Sequence, residues 1–146
     1  MTIRRGALMA RDNTRGVTSE EIIEFVSSLP GVAAVTARES DGSPEVAWGD
    51  TFIYYGDDRK MPFATIVTKD YEGWDEASKL NRPDVFRLNA SVGRNDVPEA
   101  DGVDYTALDV LLPHPTYATQ GWVCILNPSD PRELLAGAHA RASKRG

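Results

Sequence analysis

The segment Pro113-His114-Pro115 sets one imidazole between two prolines. The prolines restrict the backbone on either side, and the ring they hold titrates near neutrality. Asp104, Tyr105 and Asp109 precede it and Tyr117 and Trp122 follow. A carboxylate from Asp109 or Asp104 that orients the ring would let His114 move a proton as general acid or base. A ring that only bonds a nearby carbonyl would need the same rigidity. Arg87 and Asn89 alternate with apolar residues in the stretch VFRLNASV, and Lys69 closes PFATIVTK beside Asp70. Enclosed, Arg87, Asn89 and Lys69 would hold an anion or a carbonyl. Facing water they are a solvated stripe, the commoner fate of one face of an antiparallel sheet. Tyr105, Tyr117 and Trp122 are candidate walls of the same site, although aromatic residues so placed more often pack a core or a rim.

Other chemistries find less support. Cys124 is the sole cysteine and sits inside the apolar run WVCIL, where a thiol acts as a small hydrophobe and not as a nucleophile. It can form no intramolecular disulfide. The pairs Glu20-Glu21 and Asp57-Asp58 lack the regular acidic spacing of a calcium loop, so no metal site is expected. No serine lies in a nucleophile elbow, and no glycine-rich turn suits a phosphate or dinucleotide, so no cofactor is expected either. His139 falls near the basic end of a terminal helix, where a structural role is the simpler reading.

Elements to position these residues are legible in the hydrophobic pattern. Thr18 and Glu21 form a capping-box pattern, and Ile22, Phe25, Val26 and Leu29 follow on one helical face until Pro30-Gly31. Strands are predicted over Val32–Ala37, from about Glu45 through Thr51 to Tyr55, over Pro62–Lys69, Val85–Val92 and Trp122–Leu126. In Val85–Val92, Phe86, Leu88 and Ala90 point one way and Arg87, Asn89 and Ser91 the other. Trp74, Ala77 and Leu80 permit a short helix between Asp70 and Pro83, and Tyr105–Leu112 permits one or two further turns. Ser129-Asp130-Pro131 opens a last helix reaching Lys144. The expected fold is therefore α+β: a mainly antiparallel sheet with an N-terminal helix, a short connecting helix and a C-terminal helix packed on it.

Composition sets outer bounds. A chain of 146 residues, 41% hydrophobic and 26% charged, fits one globular domain, placed here at residues 18–146 behind a flexible basic arm, 1–17. That arm carries four arginines against Asp12, net +3, and residues 132–146 are also net +3; with −6 overall, −12 remains between them. Such a body repels a phosphate backbone, which makes nucleic-acid binding the least favoured function. No apolar run approaches the ~20 residues of a membrane span, and no secretory signal is read near Met1, so a cytoplasmic protein with no membrane partner is expected.

Leu29-Pro30-Gly31-Val32, Gly49-Asp50-Thr51-Phe52, PFATIVTKD (62–70), RPDVFRLN (82–89), DYTALDVLLPHPTY (104–117) and WVCILNPS (122–129) together resemble a bacterial domain-of-unknown-function family, number six-one-nine-four. A fainter likeness, in the LPGV turn, the histidine-to-Trp-Val segment and the final helix, extends to YjbR-like and luciferase-associated domains. These resemblances imply a small α+β fold and bring no established reaction. YjbR-like domains have been proposed to bind DNA, which the acidic body opposes.

The function expected from these readings is binding of a small organic molecule in a pocket beside His114. It could extend to cofactor-free isomerase or cyclase chemistry, with Asp109 or Asp104 orienting His114 and Arg87, Asn89 and Lys69 holding a polar group. The rival is a protein-interaction module or homodimer formed through Tyr54, Tyr55, Tyr71 and Trp74.

Overall fold

The first helix, α1 (Ser19–Ser27), starts where the chain supplies a reciprocal cap. Thr18 Oγ1 accepts from the Glu21 N–H at 3.1 Å, and Glu21 Oε1 accepts from the Thr18 N–H at 2.8 Å. Ile22 and Val26 are its buried residues. The helix ends two residues before the expected Leu29, with the Ser28 N–H on the Phe25 carbonyl and the Leu29 N–H on the Val26 carbonyl. The computed structural model describes residues 16–57 and 61–145. The expected arm lies outside them except for Gly16 and Val17, and these are not arm-like: the Val17 N–H donates to the Pro128 carbonyl at 3.1 Å and its side chain packs on the core.

Six strands form one antiparallel sheet: β1 (Val32–Thr36), β2 (Thr51–Tyr55), β3 (Ala64–Val67), β4 (Arg87–Ser91), β5 (Leu112–Pro113) and β6 (Trp122–Leu126), in the order β1-β2-β3-β4-β6-β5. The long helix α2 (Arg132–Arg145) follows. The stretch from Glu45, expected to begin the second strand, is a short 3-10 turn, and the strand starts only at Thr51.

The pleat sorts residues between two covered faces. On one face Ile53, Ala64, Ile66, Leu88, Ala90 and Val123 pack with Ile22 and Val26 of α1 and Leu135 and Ala138 of α2. On the other, Val67, Cys124 and Leu126 pack with Leu80 and Leu112, flanked by Tyr71, Val85 and Val103. This second face is covered by irregular chain. The expected short connecting helix is absent: residues 70–83 form turns closed by a bridge between Tyr71 and Asp75, and 105–111 are not helical. Of the three residues that suggested the helix, Leu80 alone is buried, and Trp74 is 55% exposed. An apolar face too thin to form a helical stripe leaves the backbone free to follow turn chemistry.

Two glycines clamp the far end of β4 to the start of β6. The Val92 and Gly93 N–H groups both donate to the Gly121 carbonyl, at 2.9 and 3.1 Å. Gly121 has φ +91°, and a Cβ there would lie 2.9 Å from Gly93 Cα. Gly121→Ala should therefore lower stability by roughly 2 kcal/mol or more, from left-handed backbone strain plus the collision. Equilibrium urea unfolding would measure it, and a loss under a few tenths would refute the close approach.

Candidate functional site

Arg87 lies on the second sheet face, opposite Val67 on β3 and Leu126 on β6, and is 1% exposed. A guanidinium cannot lose its charge at this depth, so its donors must be met. Its Nη1 donates to Asp75 Oδ1 at 3.1 Å and to Ser78 Oγ at 2.9 Å, and Nη2 donates to Asp75 Oδ2 at 2.5 Å. The fork-to-fork pairing with Asp75 is the strongest geometry available to these groups. Nε donates to Asn89 Oδ1 at 2.9 Å, and Asn89 Nδ2 donates onward to Thr65 Oγ1 at 2.9 Å. Burial alone would raise the Asp75 carboxyl, but the hydrogen bonds and charge of Arg87 prevail and hold it below the ordinary carboxylate range.

His114 joins this network from the position just after β5, the strand next to β6. Its backbone N–H donates to the Trp122 carbonyl at 3.1 Å, continuing the short β5–β6 ladder. The ring is 4% exposed, and Nδ1 accepts two backbone N–H groups, those of Thr116 and Tyr117, each at 3.0 Å. A neutral imidazole with Nδ1 so engaged carries its proton on Nε2. Nε2 lies 3.5 Å from Arg87 Nη2, so two N–H groups face the same point and neither supplies an acceptor to the other. Burial, reinforced by the Arg87 charge and partly offset by Asp75, pushes the His114 pKa down to about 4, so the ring is neutral at pH 7.

An aromatic series leads outward from the ring. Tyr117 lies over His114 with centroids 5.0 Å apart, Trp74 meets Tyr117 edge-on at 6.3 Å, and Tyr71 meets Trp74 at 5.2 Å. Tyr71 joins a second polar cluster. Its hydroxyl donates to Asp50 Oδ2, and Asp50 Oδ1 also accepts from the Thr68 N–H and hydroxyl at 2.9 and 3.0 Å. Burial first, and then the Asp50 carboxylate, raise the Tyr71 pKa, so the phenol stays protonated.

The structure brings Arg87, Asn89 and His114 together with Tyr117 and places the other sequence candidates elsewhere. Lys69 reaches Asp50 at 3.6 Å and the Trp48 carbonyl at 2.5 Å, in the second cluster. Asp104, expected to orient His114, instead caps its own turn by accepting from the Thr106 N–H and hydroxyl at 3.0 and 2.6 Å. Asp109, the other candidate, is exposed and accepts from the Ser129 N–H at 2.8 Å. Tyr105 is half-buried, with no contact to the network among the described hydrogen bonds and ring pairs, and Trp122 contributes its backbone carbonyl. The carboxylate that sequence reasoning missed is Asp75. Its signal was indirect: a guanidinium on a central strand demands a buried acid, and the polar run 70–84 offers several. Cys124, opposite Asn89 and Leu112, is buried, and its thiol points at the Pro113 carbonyl 3.8 Å away. Burial pushes its pKa up to about 12, which makes it inert. His139 serves packing: its Nε2 lies 2.8 Å from the Pro30 carbonyl, and its ring meets Tyr55 and Phe63 edge-on.

An antiparallel six-stranded sheet with helices on one face and a buried Arg–Asp–His network under irregular chain on the other defines a small α+β domain. Residues 17–146 match a family of unknown function, DUF6194, and the chain belongs to that family. No curated protein and no solved structure matches it. Among the described residues no helix is long and apolar enough to cross a membrane.

Proposed function

We propose that the chain binds a small organic molecule through a carbonyl or carboxylate oxygen placed between His114 Nε2 and Arg87 Nη2. The observation that carries this reading is a surplus of donors: among the described residues the Nε2 proton and the remaining Nη2 proton meet across a 3.5 Å contact without an acceptor oxygen. Buried donors without partners are rare, since each forfeits about 1–3 kcal/mol. An oxygen accepting from both would recover that energy. Arg87 is already neutralised by Asp75, so the site favours the dipole of a carbonyl at least as much as a full negative charge. The Tyr117–Trp74–Tyr71 series supplies apolar surface for the rest of the ligand.

The chemistry such a site supports is polarisation of a carbonyl by a neutral imidazole N–H, the assistance an isomerase or cyclase needs. His114 is a poor general base at pH 7, because Nδ1 is committed to the backbone and protonation is suppressed. A cytoplasmic location suits the reduced Cys124.

Titration of the ¹⁵N-labelled protein with acetophenone and with benzoate at millimolar concentration tests the reading. Saturable movement of the His114 Nε2–H resonance together with quenching of Trp74 fluorescence is expected. Silence of both signals for both probes would refute it. A response at Trp74 alone would instead favour a second reading, a protein-interaction surface. That alternative has its own support in the exposure of Leu108, Val110 and Leu111 along one segment, at 48%, 45% and 42%.

A further inference from the structure

A cleft of about 650 Å³ opens where β4 leaves the sheet, lined by Val92, Gly93, Arg94, Asn95, Asp96 and Arg141. Its size falls within the range of roughly 300–1,000 Å³ typical of small-molecule sites. It does not include any residue of the His114 network.

Arg94 and Arg141 arrive from different parts of the chain. Arg141 stands on α2, and its Nη1 donates to Ser91 Oγ at 3.2 Å, its one side-chain hydrogen bond among the described residues. Arg94 opens the short turn after Gly93 and is exposed. Among the described residues no carboxylate lies within ion-pair distance of either guanidinium, although Asp96 lines the same cleft. The turn that carries Arg94 is entered through a glycine-dependent backbone conformation. Gly93 has φ +96° and ψ 150°, a conformation essentially restricted to glycine. A Cβ on it would approach Arg141 Nε to 3.1 Å, and its backbone is held to Gly121. Two guanidiniums without a carboxylate partner among the described residues thereby line one hollow on a protein of net charge −6.

We propose that this cleft binds a small organic phosphate, with Arg94 and Arg141 gripping the phosphoryl oxygens and Asp96 and Asn95 accepting from hydroxyls of the attached group. Paired guanidiniums match tetrahedral oxyanions in a bidentate manner. A carboxylate and an amide beside them suit a polyhydroxylated body such as a sugar.

Isothermal titration with ribose 5-phosphate, inorganic phosphate and ribose tests the assignment on the full chain. Ribose 5-phosphate should bind saturably and more tightly than inorganic phosphate, and ribose alone should not bind. Arg94→Gln changes an exposed side chain, so the variant should fold with an unchanged melting temperature. It should weaken ribose 5-phosphate roughly ten- to hundred-fold, the value of one charged hydrogen-bonded contact. Arg141→Gln should act in the same direction. Equal affinity for ribose 5-phosphate and inorganic phosphate would overturn the organic part of the assignment. No binding at millimolar concentration, or binding untouched by both substitutions, would overturn the site itself.

Discussion

Arg87→Met should lower the free energy of unfolding by roughly 3–5 kcal/mol, the largest loss expected from any single side chain here. The change removes a guanidinium that meets Asp75, Ser78 and Asn89 at once. It leaves the Asp75 carboxylate in a site only 8% exposed without its counter-charge. Most small domains hold about 5–15 kcal/mol in total, so the variant should be partly unfolded under mild conditions. Adding Asp75→Asn should restore a large part of the loss, because the penalty lies in the stranded charge more than in lost packing. Urea midpoints of the wild type, both single variants and the double variant would measure the coupling. A loss below about 1 kcal/mol for Arg87→Met, a value ordinary for exposed ion pairs, would contradict the closed network.

Acid should weaken the fold well before its carboxylates titrate. In the unfolded chain His114 takes a proton near its ordinary 6.5, and in the fold only near 4. Between those values the unfolded state binds more protons than the folded one, so stability falls as pH falls. Above 6.5 the ring is neutral in both states and the contribution is fully present. The shift amounts to about 3 kcal/mol across the window. Asp75, held below its ordinary range, adds a further loss only when pH drops below the unfolded carboxylate value. His114→Gln removes the titration, and its amide oxygen still offers the Thr116 and Tyr117 N–H groups an acceptor. The variant should therefore show a flatter dependence of urea midpoint on pH between 6.5 and 4. Parallel curves for variant and wild type would mean that the folded ring protonates freely.

How much of this was legible in the sequence varies by element. The capping box at Thr18 and Glu21 and the run Trp122–Leu126 depend on short-range pattern, and both stand where the residues put them. Alternation in β4 correctly separated Leu88 and Ala90 from Arg87, Asn89 and Ser91. Alternation cannot say whether the polar face meets water, since that depends on chain arriving from residues 70–83 and 103–117. The convergence of Arg87 with His114 could be posed from sequence as a geometric requirement. The partner Asp75 could not be singled out, because its neighbours Glu72 and Glu76 are equally acidic and its burial follows from a turn and not from a periodic element.

The unequal upholstery of the two sheet faces has a dynamic consequence. Helices with internal ladders brace one side, whereas the opposite side is roofed by turns whose backbone bonds are few and near the surface. Partial unfolding starts where such protection is thinnest. Amide exchange should accordingly be fastest over 70–83 and slowest in β3, β4 and β6, so that the roof lifts while its foundation stays intact. Each such excursion uncovers Arg87 and His114 from the turn side, which gives a solute a way in without dismantling the domain.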